Sequence, residues 1–239
     1  MDTVISSALP ASFAPETIIY PDSDGLPMAN NTEHFERIVT TKYGLESVFV
    51  DRDDVFVAGD LFWYPVKGKP RTVLAPDVMV IFGRPKGERK SYKQWEEDGI
   101  APQVVFEFLS ESNTTSEMTN KAIFYERYGV QEYYLYDLER KTVSGFVRFQ
   151  EQDDSLEEIP EMRDWKSPRL GIRFDMSSGD LMLRKPDGTT FLSYAELDNA
   201  LSETREELSE TREELSETRE RLNALATKIR ELGINPDAL

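Results

Sequence analysis

Three apolar runs mark the middle of the chain: Pro76-Asp77-Val78-Met79-Val80-Ile81-Phe82, Val104-Val105-Phe106-Glu107-Phe108-Leu109-Ser110 and Tyr133-Tyr134-Leu135-Tyr136-Asp137. Short apolar runs bounded by Pro, Gly and Ser predict strands buried on both faces. Between the second and third runs, residues from about Glu117 to Tyr128 predict a helix that Gly129 ends. Lys121 and Tyr125, four residues apart, share one face of it. Glu107 breaks the pattern, because an ionised carboxylate inside an apolar strand is costly without a cation or several donors. It needs a partner: a metal, a lysine or a proton. Asp77 heads the first run, and Lys121 follows the second, so all three side chains can converge at one sheet edge. Two carboxylates with a lysine beside them form the layout of a divalent-cation site.

The flanking segments extend this frame in both directions. Residues 1–30 mix Ser, Pro, Ala and Asp without a period and predict a loop-rich arm. A helix is expected from Thr32, with Asn31 or Thr32 as N-cap and Glu33 in the first turn, where the dipole favours an anion. Phe35, Ile38, Val39, Leu45, Val48 and Phe49 follow one face, and Gly44 weakens the helix late in its course. Strands 55–57 and 61–64 follow, separated by Gly59-Asp60. Downstream, strands 132–137, 143–149, 170–175 and 180–184 predict an antiparallel extension, with the acidic segment 151–161 as a loop or a weak edge element.

The C-terminal segment carries a repeat. Leu-Ser-Glu-Thr-Arg-Glu-Glu occurs at 201 and 208 and, with Arg221 replacing the last Glu, at 215. A seven-residue period places Tyr194, Leu201, Leu208, Leu215, Leu222 and Ile229 at a, and Leu197, Thr204, Thr211, Thr218, Leu225 and Leu232 at d. That is a coiled-coil pattern with a weak centre. The alternative is a single solvated helix held by Glu–Arg pairs at helical spacing. Gly233 and Pro236 end it. The expected division is an arm at 1–30, an α/β domain at 31–192 and a coiled coil at 193–239.

Composition narrows the chemistry. The 239 residues carry a formal net charge of −17, contain no Cys and include one histidine, His34. Without Cys there are no disulfides, thiol catalysts or Cys-type zinc sites. A single histidine excludes a His-rich metal site, and His34 reads as a surface or core-edge residue. No apolar run reaches the roughly 20 residues needed to span a bilayer, and no leader-like segment opens the chain, so no membrane association and a cytoplasmic location are expected. The acidic charge gives no general attraction for nucleic acid. Against that stands one basic loop, with Arg84, Lys86, Arg89 and Lys90 followed by Tyr92 and Trp95. It could touch a phosphate backbone and stack on bases, or be a solvated surface loop. The Gly and Lys spacing of a nucleotide P-loop is absent. Glu33 and Asp60 are further acids that could reach the Asp77–Glu107 site; as structural residues they would be a helix-start acid and a turn acid.

Pro76-Asp77, Glu107-Phe108-Leu109-Ser110, Lys121 and the run Tyr125-Glu126-Arg127-Tyr128-Gly129-Val130-Gln131-Glu132-Tyr133-Tyr134 together resemble the Uma-two family. That family is a restriction-endonuclease-like branch of the PD-(D/E)XK nuclease superfamily, and the resemblance spans about residues 20–190. It implies an α/β fold with a restriction-endonuclease-like core, a mixed sheet flanked by helices, followed here by the coiled-coil helix. It further implies a magnesium site, where manganese can substitute, and phosphodiester hydrolysis, with DNA the expected substrate; separately, the domain is expected to form a homodimer to which the helix from Tyr194 to Leu232 contributes. By position, Asp77, Glu107 and the backbone carbonyl of Phe108 would be the metal ligands. The superfamily's lysine usually stands two residues after the second acid, where this chain has Leu109. The resemblance implies that its role has passed to Lys121, with Tyr125 orienting Lys121 or a phosphate, and that Glu33 matches the acid often supplied by the first helix. An inactive binding or scaffold module acting through its coiled coil is the competing expectation. A carboxylate-pair glycosidase fits poorly, since nothing in it accounts for a lysine on the adjacent helix.

Overall fold

A computed structural model of the chain describes residues 18–23, 25, 31–110, 113–150 and 153–231. Most of the expected arm, residues 111 and 112, and the predicted stops at Gly233 and Pro236 lie outside the described residues. So do the d-position Leu232 and the side chain of Ile229. The chain forms two compact units, Met1–Thr190 and Phe191–Leu239.

In the first unit, α1 (Thr32–Val48) leads into β1 (Val55–Gly59), β2 (Trp63–Tyr64), β3 (Val78–Phe82) and β4 (Tyr92–Lys93). Then come β5 (Val104–Leu109), α2 (Thr115–Tyr128), β6 (Glu132–Asp137), β7 (Thr142–Val147) and β8 (Glu157–Glu158). Three short strands close the unit: β9 (Trp165–Lys166), β10 (Arg173–Asp175) and β11 (Met182–Arg184). A six-stranded sheet has the order β1-β3-β5-β6-β7-β8. Its neighbours are antiparallel except β5 and β6, which run parallel with Glu107 opposite Leu135. Parallel neighbours need a crossover long enough to return the chain, and α2 supplies it. The architecture is therefore a mixed sheet flanked by helices.

The two faces of the sheet are covered differently. On one, Met79, Ile81 and Val105 pack with Trp63, Tyr92, Tyr125 and Tyr133 in an aromatic-rich core. Trp63 and Tyr125 stack with ring centroids 6.4 Å apart, which fixes α2 by the residue that also reaches the candidate site. Elsewhere α1 lies against β1, β3 and β5. Its buried positions are His34, Ile38, Thr41 and Leu45, one step away from the expected face, and Phe35 is exposed. Gly44 does not interrupt α1, because tertiary packing of Leu45 outweighs a propensity cost of about 1 kcal/mol.

Helix α2 is well delimited. Thr114 accepts a hydrogen bond from the Glu117 N–H, and the Glu117 carboxylate accepts one from the Thr114 N–H, a reciprocal cap that starts the helix two residues before the expected point. Gly129 ends it in the left-handed region with φ 96°. The expected extension is split. β6 and β7 continue the main sheet and the acidic segment supplies its edge strand β8, but β10 and β11 join β9 in a separate three-stranded sheet. The sequence pattern of short antiparallel strands does not say which sheet each strand enters.

Among its described residues the second unit is formed by the helix α3 (Tyr194–Glu231) and the short segment before it. Ser193 and Glu196 form its reciprocal cap, with the Glu196 N–H donating to Ser193 Oγ and the Ser193 N–H donating to Glu196 Oε2. Its heptad leucines are exposed. Within the helix an ion pair joins Arg221 to Glu217. The ladder of Glu–Arg pairs weighed as the alternative does not run through the repeats, because Arg205, Arg212 and Arg219 have Leu, Ser or Asn three and four residues away on both sides.

Candidate active site

β3 pairs with β5 only from Val78 opposite Phe106 to Val80 opposite Val104. Beyond that point the two strands part, and Asp77 sits in the gap. Its Oδ2 accepts the Phe108 backbone N–H at 2.7 Å, so the side chain continues the ladder where the β3 backbone no longer can. A strand residue's N–H and C=O face the same neighbouring strand, which places the Phe108 carbonyl on the Asp77 side of β5.

Glu107 projects toward α2 and is 2% exposed. Its Oε2 accepts from Lys121 Nζ at 2.7 Å, and its Oε1 accepts a short hydrogen bond from the Tyr125 hydroxyl. The four-residue spacing on α2 thus delivers one donor to each carboxylate oxygen. Burial, followed by the charge of Asp77, pushes the Glu107 carboxyl up to about 7, against the opposing pull of Lys121 and Tyr125. Burial alone would lower the Lys121 ammonium, but the charge of Glu107, its hydrogen bond and the charge of Asp77 outweigh it and hold Lys121 above its ordinary value. Burial and the Glu107 carboxylate also push the Tyr125 phenol well up, so it serves as a donor at any physiological pH.

Asp77, Glu107, Lys121 and Asp60 line one cleft of about 500 Å³, together with His34 and Phe108. Asp60 stands in the left-handed region with φ 46°, and its N–H donates to the Asp77 carbonyl at 3.2 Å, so the turn expected there holds Asp77 in place. His34 corrects the expectation. It is buried at 6% exposure, not on the surface or core edge, and its Nε2 lies 3.0 Å from Asp77 Oδ2. A carboxylate only accepts, so this nitrogen donates. Burial lowers the imidazole, yet the hydrogen bond and charge of Asp77, with Glu107 behind, leave it raised overall. The signal was available: 34, 38, 41 and 45 recur at helical spacing and put the lone histidine on the buried stripe.

Other expected contributors lie elsewhere. Glu33 is half exposed and pairs with Lys141 at 2.6 Å, outside the residues that line the cleft. In the basic loop, Arg84 and Arg89 both bind Glu97, and Arg89 lies over the Phe56 ring at 4.0 Å. Lys86 donates to the carbonyls of Phe49 and Val50, just past the end of α1. Lys90 is exposed. Tyr92, expected to be able to stack on bases, is fully buried in the core, and Trp95 packs on Tyr20 at 5.0 Å. Charges engaged in this way are committed to the fold.

Among the described residues no three His, Cys, Asp or Glu side chains form a metal-holding group. Two carboxylates and the Phe108 carbonyl nevertheless offer oxygen chemistry: each Glu107 oxygen retains a lone pair beyond the one bond it accepts, and Asp77, whose Oδ2 accepts from both Phe108 and His34, offers Oδ1. A cation such as magnesium takes few protein oxygens and completes its shell with water. The set fits. No helix among the described residues is long and apolar enough to cross a membrane.

A family model described as Uma2, putative restriction endonuclease, matches residues 27–179. The chain is also similar to the crystal structure of a putative nuclease belonging to DUF820 from Anabaena variabilis. That likeness has 17% identity and a TM-score of 0.42, covering 59% of this chain and 75% of that one. No curated protein matches the chain.

Proposed function

Because the chain belongs to the Uma2 family, described as "putative restriction endonuclease", we propose that it hydrolyses DNA phosphodiester bonds at the Asp77–Glu107 cleft in a magnesium-dependent reaction. The observation that carries this reading is the buried Glu107, gripped by Lys121 and Tyr125 and opening with Asp77 onto one cleft. Asp77, Glu107 and the Phe108 carbonyl would hold the cation. When bound, it would supply Lewis-acid stabilisation of the phosphoryl oxygens and a more acidic water. Lys121 offsets negative charge beside the cleft and orients the attacking water. Tyr125 fixes one oxygen of Glu107, leaving the carboxylate a single orientation. His34 and the Phe108 N–H do the same for Asp77. Manganese can replace magnesium in such a set. We place the protein in the cytoplasm, consistent with a Cys-free chain, and as a homodimer, consistent with the exposed heptad leucines of α3.

A second reading, an inactive module that works through α3, is favoured by the internal pairing of Arg84 and Arg89 and by the net charge of −17. One experiment separates the two. Purified protein with magnesium or manganese should nick or cut plasmid DNA, and Asp77→Ala or Glu107→Ala should abolish cutting together with cation binding measured by calorimetry. Equal cleavage by wild type and Glu107→Ala would identify contamination and leave the module reading in its place.

A further inference from the structure

We infer that α3 is one strand of a parallel, in-register two-stranded coiled coil formed with a second copy of this chain. The helix presents Leu201, Leu208, Leu215 and Leu222 along one side, each between 45 and 59% exposed. At 1.5 Å per residue its 38 residues extend for about 57 Å, enough for five heptads. Exposed apolar side chains along that length leave the seam without a partner in the chain's own second unit.

The charges name the partner. Taken alone, the helix is poorly arranged: Glu203 and Glu207, Glu206 and Glu210, and Glu207 and Glu210 stand three or four residues apart, where like charges repel. Arg205, Arg212 and Arg219 have no acid at those spacings, and none forms an ion pair among the described residues. The repeat makes sense between helices. Arg212 and Arg219 occupy e positions, and Glu207 and Glu214 occupy the preceding g positions. In a parallel, in-register pair each g residue faces the e residue five places on in the other helix. Glu207 then meets Arg212 of the second copy, and Glu214 meets Arg219, with both contacts repeated by symmetry. Antiparallel pairing instead sets e against e, bringing arginine to arginine wherever the repeats overlap.

Thr204, the first threonine at d, is compatible with such a seam. Thr204 donates its hydroxyl to the Ala200 carbonyl at 2.8 Å, so that hydroxyl is satisfied within its own helix and the methyl group is left for the seam. Charge at e and g also holds the assembly to two strands, since wider bundles bury those positions. Each helix follows the Met1–Thr190 unit in sequence, so parallel pairing tethers both copies of that unit through the same end of the coil. The pairing needs no cleavage chemistry, so a failed nuclease assay and a failed pairing assay are separate results.

The absence of native Cys makes orientation measurable in the full-length chain. Leu201→Cys and Leu222→Cys, made singly and oxidised, should each cross-link to itself. An antiparallel pair lets a residue meet its own copy only at the centre of the overlap, so both cannot do so. Glu207→Arg with Glu214→Arg should weaken the dimer seen by sedimentation at least about tenfold. Adding Arg212→Glu and Arg219→Glu should restore it. These charge variants keep every leucine, so recovery excludes simple unfolding. A wild type that sediments as a monomer at micromolar concentration, cross-linking of only one Cys variant or of neither, or a fourfold variant that stays dissociated would each overturn the proposal.

Discussion

Glu107 and Glu132 are both buried strand glutamates on the neighbouring strands β5 and β6, and burial pushes both carboxyls up. Their surroundings differ. Glu132 takes its hydrogen bonds from neutral donors, the hydroxyls of Tyr134 and Ser167 and the backbone N–H of Arg169 at 2.8 Å, and the charge of the Arg169 side chain adds only a lesser attraction. Those donors come from β6 itself and from the loop after β9, so the carboxylate ties that loop to the sheet. Glu107 is answered by an ammonium and a phenol, with a second carboxylate lining the same cleft. Burial of an acid is therefore not what distinguishes a site. A network of mainly neutral donors satisfies a charge and closes the region, whereas a concentration of charges around a cleft is the arrangement that the proposed cation and substrate would require.

Exchanging each carboxylate for its amide tests this contrast. Glu107→Gln should lower cleavage by about 1,000-fold while the protein remains folded, because the amide removes an anionic ligand and keeps the volume. Glu132→Gln should leave cleavage per folded molecule unchanged but cost about 1–3 kcal/mol of stability, since the amide turns a donor toward groups that also donate. Denaturant unfolding and plasmid cleavage on the same samples read both effects. Loss of activity without loss of stability in the Glu132 variant would break the division between the two regions.

Lys121→Met sharpens the comparison from the other partner. It should spare cation binding in calorimetry and reduce cleavage by about 100-fold, because the ammonium acts on the water and the developing charge. A matching fall in cation affinity would make Lys121 a purely structural counter-ion of Glu107.

Much of this was legible in the chain. The three apolar runs became β3, β5 and β6, and the spacing of Lys121 and Tyr125 delivers both to Glu107. The first helix was harder, because it buries His34 and Thr41 while exposing Phe35 and Tyr43, so polarity alone assigns the wrong face. The basic loop left two readings open because Glu97 and Asp98, which answer Arg84, arrive only after the chain has turned through β4. Glu132 gave no warning, since an acid at the first position of a strand is usually outside the core. In α3 the periodicity was plain, and the missing partner of each repeat arginine could be read directly from the residues three and four places away.

The pH dependence of stability gives the smallest expected effect and the most direct link between the charge cluster and its proposed cation. Glu107 is raised from 4.5 to about 7, so the folded chain holds a proton that the unfolded chain has lost. A raised carboxyl contributes stability in full below its unfolded value and loses it as pH rises through the folded value. His34, raised from 6.5, contributes below that value and loses its contribution as pH rises further, so it acts in the same direction. In chelator, the melting temperature of wild type should therefore decline from about pH 5 to about pH 8, and Glu107→Gln should flatten most of that decline below neutrality. Magnesium competes with the proton for Glu107, so the rise in melting temperature on adding it should grow across the same interval. An equal rise at both ends of the interval, retained in Glu107→Gln, would place the cation on other oxygens and return Glu107 and Lys121 to the role that Glu132 already has, a buried charge held for the fold alone.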